Sequence, residues 1–322
     1  MRNYRVALFG AGAMGTNHAR VIAQSPHSKL SMVIDPDLRK GQKLADQYGA
    51  SWEPELQNLQ NLDYIVIASP TEKHFSIAMN AIMNDIPVLI EKPISNSFSE
   101  TKTLVDAARQ RSIPLTCGLV ERFNPAFLTL KAMITEVINI QTIRHSPYTP
   151  RVLNSVSADL LIHDLDLVVN LFGSNPVDLQ TKSYSLSYEE NPISDAVDVL
   201  VGFSASRFAN LSVSRIGHRK IRSMSVFEKE RLIEVDLLRR DITIYKHINE
   251  DVSSDGLGYK QQTVIEIPGL VTNEEPLMAQ LNSFIQTISS GHSLNQSSEL
   301  DSILNIHEWL EKIENNENRN CK

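Results

Sequence analysis

Short apolar runs alternate with helical patterns over the first 120 residues of the chain. The runs lie at residues 6–9, 30–34, 63–68, 87–90 and 114–119, and helices are predicted between them at 14–24, 38–48, 72–84 and 99–111. Strands that lack polar alternation are typical of a parallel sheet that helices cover on both faces. The repeated strand-helix-strand order therefore predicts an α/β domain with a doubly wound parallel sheet.

The pattern changes near residue 121. Two helices are predicted at 126–136 and 158–172, and two more close the chain at 276–289 and 299–314. Between these pairs the composition predicts strands at 177–187, 195–204, 209–214, 223–228, 232–237 and 241–246, joined by short turns. This half is expected to be an α+β domain with an open, mostly antiparallel sheet, and the polar residues 315–322 are expected to fray.

We place the domain boundary after residue 121. Residues 1–121 form the predicted cofactor domain, and residues 122–322 form a substrate-binding and oligomerisation domain whose C-terminal helix can pack back on the first. One predicted strand carries Val197, Val199, Val201 and Phe203 in alternation. An apolar face of this kind is expected to meet another subunit, which favours a homodimer or homotetramer.

Composition and charge narrow the range of partners. The 322 residues carry a formal net charge of -7 without a broadly basic region, so nucleic acid is an unfavourable partner. The sequence has no apolar run long enough to cross a membrane and no signal-peptide pattern. Its two cysteines, Cys117 and Cys321, cannot form a disulfide framework. We expect a cytoplasmic protein that binds neither nucleic acid nor membranes.

A glycine-rich turn follows the first predicted strand. Residues 10–15 read Gly-Ala-Gly-Ala-Met-Gly, a complete G-x-G-x-x-G that opens a helix, and Asp35 closes the second strand. Such a turn lets the backbone approach a pyrophosphate at a helix N-terminus, and the acid accepts ribose hydroxyls. The alternative is a tight turn alone, but the strand, glycines, helix and acid all fall in register, which favours a dinucleotide site.

The acid also bears on which dinucleotide binds. A carboxylate at Asp35 repels the 2′-phosphate of NADP, so NAD is the predicted cofactor. Arg39 could offset this repulsion and permit NADP, although a solvated helix residue is the simpler interpretation.

Two further segments carry candidate chemistry. Glu91-Lys92-Pro93 ends a predicted strand, where open α/β sheets bind ligands, and the Lys92 ammonium could stabilise an alkoxide. Asp159 and His163 lie four residues apart on one helix face, so the acid can orient a histidine base. The alternatives are a capping or surface lysine and a core histidine with a capping acid. No residue group has the spacing of a metal site.

Charged and polar residues next to these segments could bind an anionic substrate. One group follows the last predicted strand of the first domain, and a second group precedes the Asp159 helix. We expect both to line a cleft between the domains, where arginines can pair with an anion. Ordinary salt bridges are the alternative for each arginine. The predicted substrate-binding residues are Glu121, Arg122, Asn124, Arg144, Tyr148 and Arg151.

Together, the fingerprint with His18, the Glu91-Lys92-Pro93 motif and the Asp159/His163 pair resemble the Gfo/Idh/MocA oxidoreductases. The resemblance covers nearly the whole chain and implies an N-terminal Rossmann domain followed by an open-sheet domain. It implies that Lys92 contacts the reacting hydroxyl and that His163 is the acid/base. The full set of expected cofactor-binding residues is Gly10, Gly12, Ala13, Met14, Gly15, Asp35, Ser69, Thr71, His74, Glu91 and Lys92.

The segments at 121–126, 146–151 and 159–166 look like those of UDP-N-acetylglucosamine 3-dehydrogenases. This similarity implies NAD-dependent oxidation of the C3 hydroxyl of a nucleotide sugar, in the synthesis of 3-amino sugars for surface glycans. Tyr148 and Thr149 depart from the pattern, which leaves sugar specificity open. The alternatives are an inositol, free-hexose or sugar-acid dehydrogenase, and, in another class, a non-catalytic NAD-binding regulatory protein.

Overall fold

The computed structural model describes residues 3–148, 154–186, 194–251, 259–290 and 294–320. These residues divide into two compact units. The first comprises the residues up to Val120 together with those from Glu275 to Glu311, and the second comprises those from Glu121 to Glu274 together with those from Lys312 onward.

The first unit contains a six-stranded, fully parallel sheet with the order β3-β2-β1-β4-β5-β6. The strands are β1 (Tyr4–Phe9), β2 (Ser28–Ile34), β3 (Ser51–Glu53), β4 (Tyr64–Ile67), β5 (Val88–Ile90) and β6 (Leu115–Cys117). The helices are α1 (Ala13–Gln24), α2 (Leu38–Tyr48), α3 (His74–Met83) and α4 (Phe98–Arg111). This doubly wound sheet confirms the predicted fold class of the first half.

Local signals explain where these elements begin and end. Every side chain of β4 is buried, which is why its sequence is an uninterrupted apolar run. Asp37 caps α2 by accepting from two backbone N–H groups, and Gly49 ends that helix in the left-handed conformation. Ser97 caps α4 by accepting the backbone N–H of Glu100.

The second unit contains an eight-stranded sheet with the order β14-β13-β12-β11-β7-β10-β9-β8. Neighbouring strands are antiparallel except for β7 and β10, which are parallel. The strands are β7 (Val137–His145), β8 (Asp178–Tyr184), β9 (Ala196–Gly202), β10 (Phe208–Ser214), β11 (Ile221–Glu228), β12 (Arg231–Asp236), β13 (Asp241–Asp251) and β14 (Tyr259–Glu266). This open sheet confirms the second part of the predicted fold class.

Two helices belong to this second unit and two more follow its last strand. Helix α5 is Pro125–Met133, and α6 is Ile162–Phe172 with a π-helical turn, Ser157–Leu161, before it. The closing helices are α7 (Pro276–Ser289) and α8 (Leu294–Asn320). The apolar face of α7, including Leu281 and Phe284, packs into the core of the first unit beside β1 and β4.

Three strands, β3, β7 and β14, were not expected from the sequence, and α8 is longer than predicted. Residues 315–320 continue α8 instead of fraying, because Glu317 is buried in the second unit and hydrogen-bonds Ser157. Cys117 is a buried free thiol, as expected, whereas Cys321 lies outside the described residues.

The apolar face predicted to meet another subunit is covered within the chain. Val197, Val199, Val201 and Phe203 are all buried. They lie on the face of the sheet that packs against α6, where the rings of Phe172 and Phe203 are 4.4 Å apart. The assignment of this face to a subunit interface is therefore wrong. The opposite face of the sheet, which carries Leu200 on the same strand, is the exposed one.

Candidate functional site

The glycine-rich turn joins β1 to α1 in a conformation that needs its glycines. Gly10 has a φ of +97°, and a Cβ there would lie 2.5 Å from the carbonyl oxygen of Ala68. A Cβ on Gly15 would lie 1.9 Å from the carbonyl oxygen of Gly10. A side chain at Gly10 would push the turn away from the end of β4, and a side chain at Gly15 would push α1 away from the turn, so both positions require glycine.

The third glycine leaves open space at the start of α1. Gly12 is the N-cap of the helix and offers no side-chain cap, and a Cβ at this position would meet nothing within 4 Å. Ala13 and Met14, in the first turn, are exposed. The helix therefore presents backbone N–H groups to an open cradle, which is the chemistry a pyrophosphate requires.

Asp35 lies beside this cradle. Its Oδ2 accepts the backbone N–H of Ala11 at 2.6 Å, and its Oδ1 accepts that of Asp37 at 2.8 Å. These bonds hold the carboxylate, at the end of β2, against the glycine turn. A dinucleotide fits this arrangement, because the acid and the cradle are held in contact by the fold itself. Arg39 is exposed at the start of α2.

His74 connects the loops that follow β4 and β5. Its Nε2 bonds the carbonyl oxygen of Ser69 at 2.8 Å, and its Nδ1 bonds that of Pro93 at 2.9 Å. Thr71, also a predicted cofactor residue, is buried in the turn before α3. The histidine thus holds two carboxyl-end loops of the parallel sheet together.

Glu91 contacts a histidine that is distant along the chain, so the spacing of residues in the sequence does not reveal the pair. Its Oε1 lies 2.7 Å from Nε2 of His18 on α1, and both side chains are buried. Beside it, Lys92 is half-buried at the carboxyl end of β5 and is joined to Pro93 by a cis peptide bond. The pair fixes the strand end that carries Lys92, which gives Glu91 a positioning role in this unit.

In the second unit, Asp159 lies in the π-helical turn and His163 lies in the first turn of α6. Both side chains are half-buried, whereas the next acid along the helix, Asp164, is fully buried. The Nδ1 atom of His163 is shielded from solvent. These positions keep the acid and the histidine on consecutive turns of one helical segment.

Arg144 is enclosed by two carboxylates. Its Nη1 donates to Glu121 at 2.9 Å, and its Nη2 and Nε donate to one oxygen of Asp164 at 2.7 and 2.9 Å. Burial raises the pKa of Asp164 despite the guanidinium, whereas for Glu121 burial is outweighed by Arg144 and Arg222, so its pKa is lowered. Only 1% of Arg144 is exposed. The structure therefore favours a salt bridge over substrate binding for Arg144.

The other predicted substrate residues have different surroundings. Arg122 donates from Nε to Asp166 at 2.7 Å, and Asp166 is buried. Asn124 caps α5 and also donates to the carbonyl of Leu237 at 3.0 Å. Tyr148 is exposed, and Arg151 lies outside the described residues. Arg122 and Asn124 thus hold local structure, as the salt-bridge alternative anticipated for the arginine.

Two arginines that form ion pairs in the second unit, Arg222 and Arg215, belong to none of the motifs recognised in the sequence. Arg222 donates to Glu121 at 2.9 Å and lies directly opposite Arg144 on the neighbouring strand. Arg215, in the preceding loop, forms a buried ion pair with Asp195 at 2.7 Å. The available signal was the basic segment 215–222, which holds three arginines and a lysine without an acid.

The described ranges offer neither a metal centre nor a membrane span. No group of three or more histidine, cysteine or acidic side chains able to hold a metal ion occurs there. In the same part of the chain, no helix has both the length and the apolar character needed to cross a membrane.

Comparison with known proteins agrees with this geometry. Residues 4–119 match the Gfo/Idh/MocA model, described as an oxidoreductase family with an NAD-binding Rossmann fold. Over 299 residues, and 90% of each chain, the sequence is 28% identical to UDP-N-acetylglucosamine 3-dehydrogenase of Acidithiobacillus ferrooxidans. It is also 30% identical to an inositol 2-dehydrogenase of Acidothermus cellulolyticus, over 53% of this chain and 54% of that one.

Solved structures share the whole fold. UDP-N-acetylglucosamine 3-dehydrogenase GnnA from Acidithiobacillus ferrooxidans superposes with a TM-score of 0.87 at 24% identity, over the full length of both chains. GenD2 from gentamicin A biosynthesis, solved in complex with NAD, gives a TM-score of 0.81 at 21% identity and covers 98% of this chain and 95% of its own.

Proposed function

We propose that this chain, whose residues 4–119 match the Gfo/Idh/MocA oxidoreductase model, is an NAD-dependent sugar oxidoreductase of that family and oxidises the C3 hydroxyl of a UDP-N-acetylhexosamine to a ketone. The similarity that spans 90% of both chains to a UDP-N-acetylglucosamine 3-dehydrogenase carries the proposal. The Asp35 carboxylate held against the glycine turn supports NAD as the cofactor.

The residues of the first unit would hold the cofactor. Backbone N–H groups at the start of α1 would bind the pyrophosphate, and Asp35 would accept a hydrogen bond from a ribose hydroxyl. His74 and Glu91 keep the loops after β4 and β5 in place. When bound, the nicotinamide of the cofactor is the hydride acceptor.

The acid-base chemistry is assigned to Lys92, Asp159 and His163. His163 takes the hydroxyl proton on its imidazole ring. Asp159 precedes it by one turn and orients the ring. Lys92 donates a hydrogen bond to the substrate oxygen and stabilises its developing negative charge.

The first test is a turnover assay that follows reduced nicotinamide with UDP-N-acetylglucosamine as substrate. Replacing Lys92 or His163 by alanine should abolish turnover while NAD binding persists. Lys102→Ala, which removes an exposed lysine of α4, is the matched control and should keep wild-type activity. Wild-type rates in Lys92→Ala would refute the assigned role.

Inositol dehydrogenation is the second candidate, because inositol 2-dehydrogenases also match over half of the chain. The same assay with myo-inositol, glucose and glucuronate in place of the nucleotide sugar separates the two. Turnover that requires the UDP group supports the first candidate, and turnover of free inositol alone supports the second.

A further inference from the structure

The turn between β10 and β11 is strongly basic in a chain whose net charge is -7. His218, Arg219 and Lys220 are exposed there, and Arg222 follows on β11. The turn is anchored, because Gly217 donates from its backbone to the carbonyl of Ser146 at 3.1 Å. These positive charges therefore lie on a turn of the second unit whose backbone is fixed by a hydrogen bond.

Arg222 and Arg144 share one carboxylate oxygen. They lie opposite each other on adjacent strands, so their side chains lie on the same face of the sheet. Both donate to Oε1 of Glu121 at 2.9 Å. Since Arg144 already takes much of that charge, Glu121 only partly neutralises Arg222.

Positive charge is in excess around Lys220 and Arg222, and it affects the pKa of both groups. The Arg222 guanidinium, followed by burial, lowers the pKa of Lys220, and burial with Arg144 lowers that of Arg222. Within the described residues, the buried Nε of Arg222 has no hydrogen-bond partner. About 30% of this side chain is exposed, so a ligand can reach it. An anion bound at the exposed part of the Arg222 guanidinium and at Lys220 would relieve the repulsion between the two cations.

Through a series of ion pairs, Arg222 is connected to the segment that carries the proposed proton acceptor. Arg222 contacts Glu121, Glu121 contacts Arg144, and Arg144 contacts Asp164. Asp164 directly follows His163 in the chain. In a nucleotide sugar the diphosphate is attached to the same ring whose hydroxyl reacts, so its binding groups are needed close to the proton acceptor.

We propose that Lys220 and Arg222 bind the diphosphate of a nucleotide-linked sugar. This inference rests on the proposed function and extends it by naming the groups that select an anionic substrate. Arg222 offers a planar fork of donors and Lys220 offers a mobile point charge, which together suit the two phosphates of a nucleoside diphosphate.

The test is equilibrium binding of UDP, measured by calorimetry on protein saturated with NAD so that the α1 cradle is filled. Lys220→Gln should weaken UDP binding by about tenfold, the loss expected for one charge-assisted hydrogen bond. Lys229→Gln removes an exposed lysine from the turn after β11 and should leave UDP affinity unchanged. Arg222→Lys, which keeps the charge but loses the fork, should also weaken binding.

The binding of three other ligands, namely uridine, pyrophosphate and glucuronate, is measured for comparison. Uridine should bind equally to the wild type and Lys220→Gln, whereas pyrophosphate should follow UDP. Glucuronate should be insensitive to Lys220, and a loss of glucuronate binding instead of UDP binding would overturn the diphosphate assignment. UDP affinity that is equal in the wild type and Lys220→Gln, or no UDP binding at all, would also overturn it.

The outcome is independent of turnover. If UDP binds through Lys220 but no sugar reduces NAD, the proposed function fails and the anion site stands. If a neutral polyol reduces NAD while UDP does not bind, the dehydrogenase activity stands and the anion site fails.

Discussion

Arg144 and Arg222 occupy opposed positions on neighbouring strands, yet their environments differ. Arg144 is 1% exposed and bonded to two buried carboxylates, so its removal would leave Glu121 and Asp164 without their main counter-charge. Arg222 shares only one of those acids and keeps a buried donor unused within the described residues. The same residue type is therefore enclosed by carboxylates at one position and partly exposed at the other.

Asp35 is expected to determine cofactor choice. Replacing it by serine removes the charge that repels a 2′-phosphate, so the ratio of kcat/KM for NAD to that for NADP should fall by about tenfold or more. The measurement is initial rates with each cofactor, together with a thermal melt, since Asp35 also accepts from Ala11 and Asp37.

Asp46→Ser on α2 is the matched control for this change, because it removes an exposed carboxylate from the same helix that Asp35 precedes. Its cofactor ratio should match the wild type. An unchanged ratio in Asp35→Ser would show that another group excludes the 2′-phosphate.

The sequence predicted elements well where one physical signal dominated. The strands β1, β2 and β4 read as apolar runs, and the helix predicted at 38–48 has the same bounds as α2. Strand β7 was missed because it carries the buried Arg144, whose partners lie 20 and 23 positions away along the chain. Spacing patterns reveal neighbours on one element, so ion pairs between elements remained hidden.

The same limit explains which parts of the candidate site could be recognised from the sequence. The glycine turn, Lys92 and the Asp159/His163 pair are local patterns, and each could be recognised from sequence. The His18–Glu91 contact joins positions 73 apart, and the Arg222–Glu121 contact joins positions 101 apart. Only the folded chain shows that Glu91 and Glu121 have these partners.

The last turns of α8 should make stability depend on pH. Burial raises the pKa of Glu317, which accepts from Ser157 and is 3% exposed. Because the folded pKa lies above the unfolded one, the stabilisation is present below the unfolded pKa and is lost as the pH rises through the folded pKa. A tenfold difference in proton affinity between the folded and unfolded states changes the free energy of unfolding by about 1.4 kcal/mol across that range.

Glu317→Gln keeps the shape of the side chain and removes its titration. Denaturant unfolding should show that the wild type loses more stability than this variant as the pH rises from the acidic range to neutral. The exposed Glu230→Gln is the control and should follow the wild type. Parallel curves for the wild type and Glu317→Gln would mean that the carboxyl does not titrate differently on unfolding.

At the scale of the whole molecule, one face of the eight-stranded sheet exposes apolar side chains in the described part of the chain. Ile143, Leu200 and Phe208 lie on three adjacent strands of this face and are 40%, 40% and 37% exposed. Eight strands span about 34 Å, and strands of seven residues are about 23 Å long, so the face offers roughly 800 Å². That matches the area each partner buries in a standard interface, about 800 Å².

We therefore expect the protein to form a homodimer through this face, with the same patch on both subunits. Leu200→Arg puts a charge at the centre of the patch and should convert the dimer to a monomer in size-exclusion chromatography with light scattering. Leu238→Arg places the same charge on a leucine that is 39% exposed outside the sheet, and it should remain dimeric. A monomeric wild type, or a dimer that survives Leu200→Arg, would exclude the open face as the interface, because a buried unpaired charge there has no compensating partner.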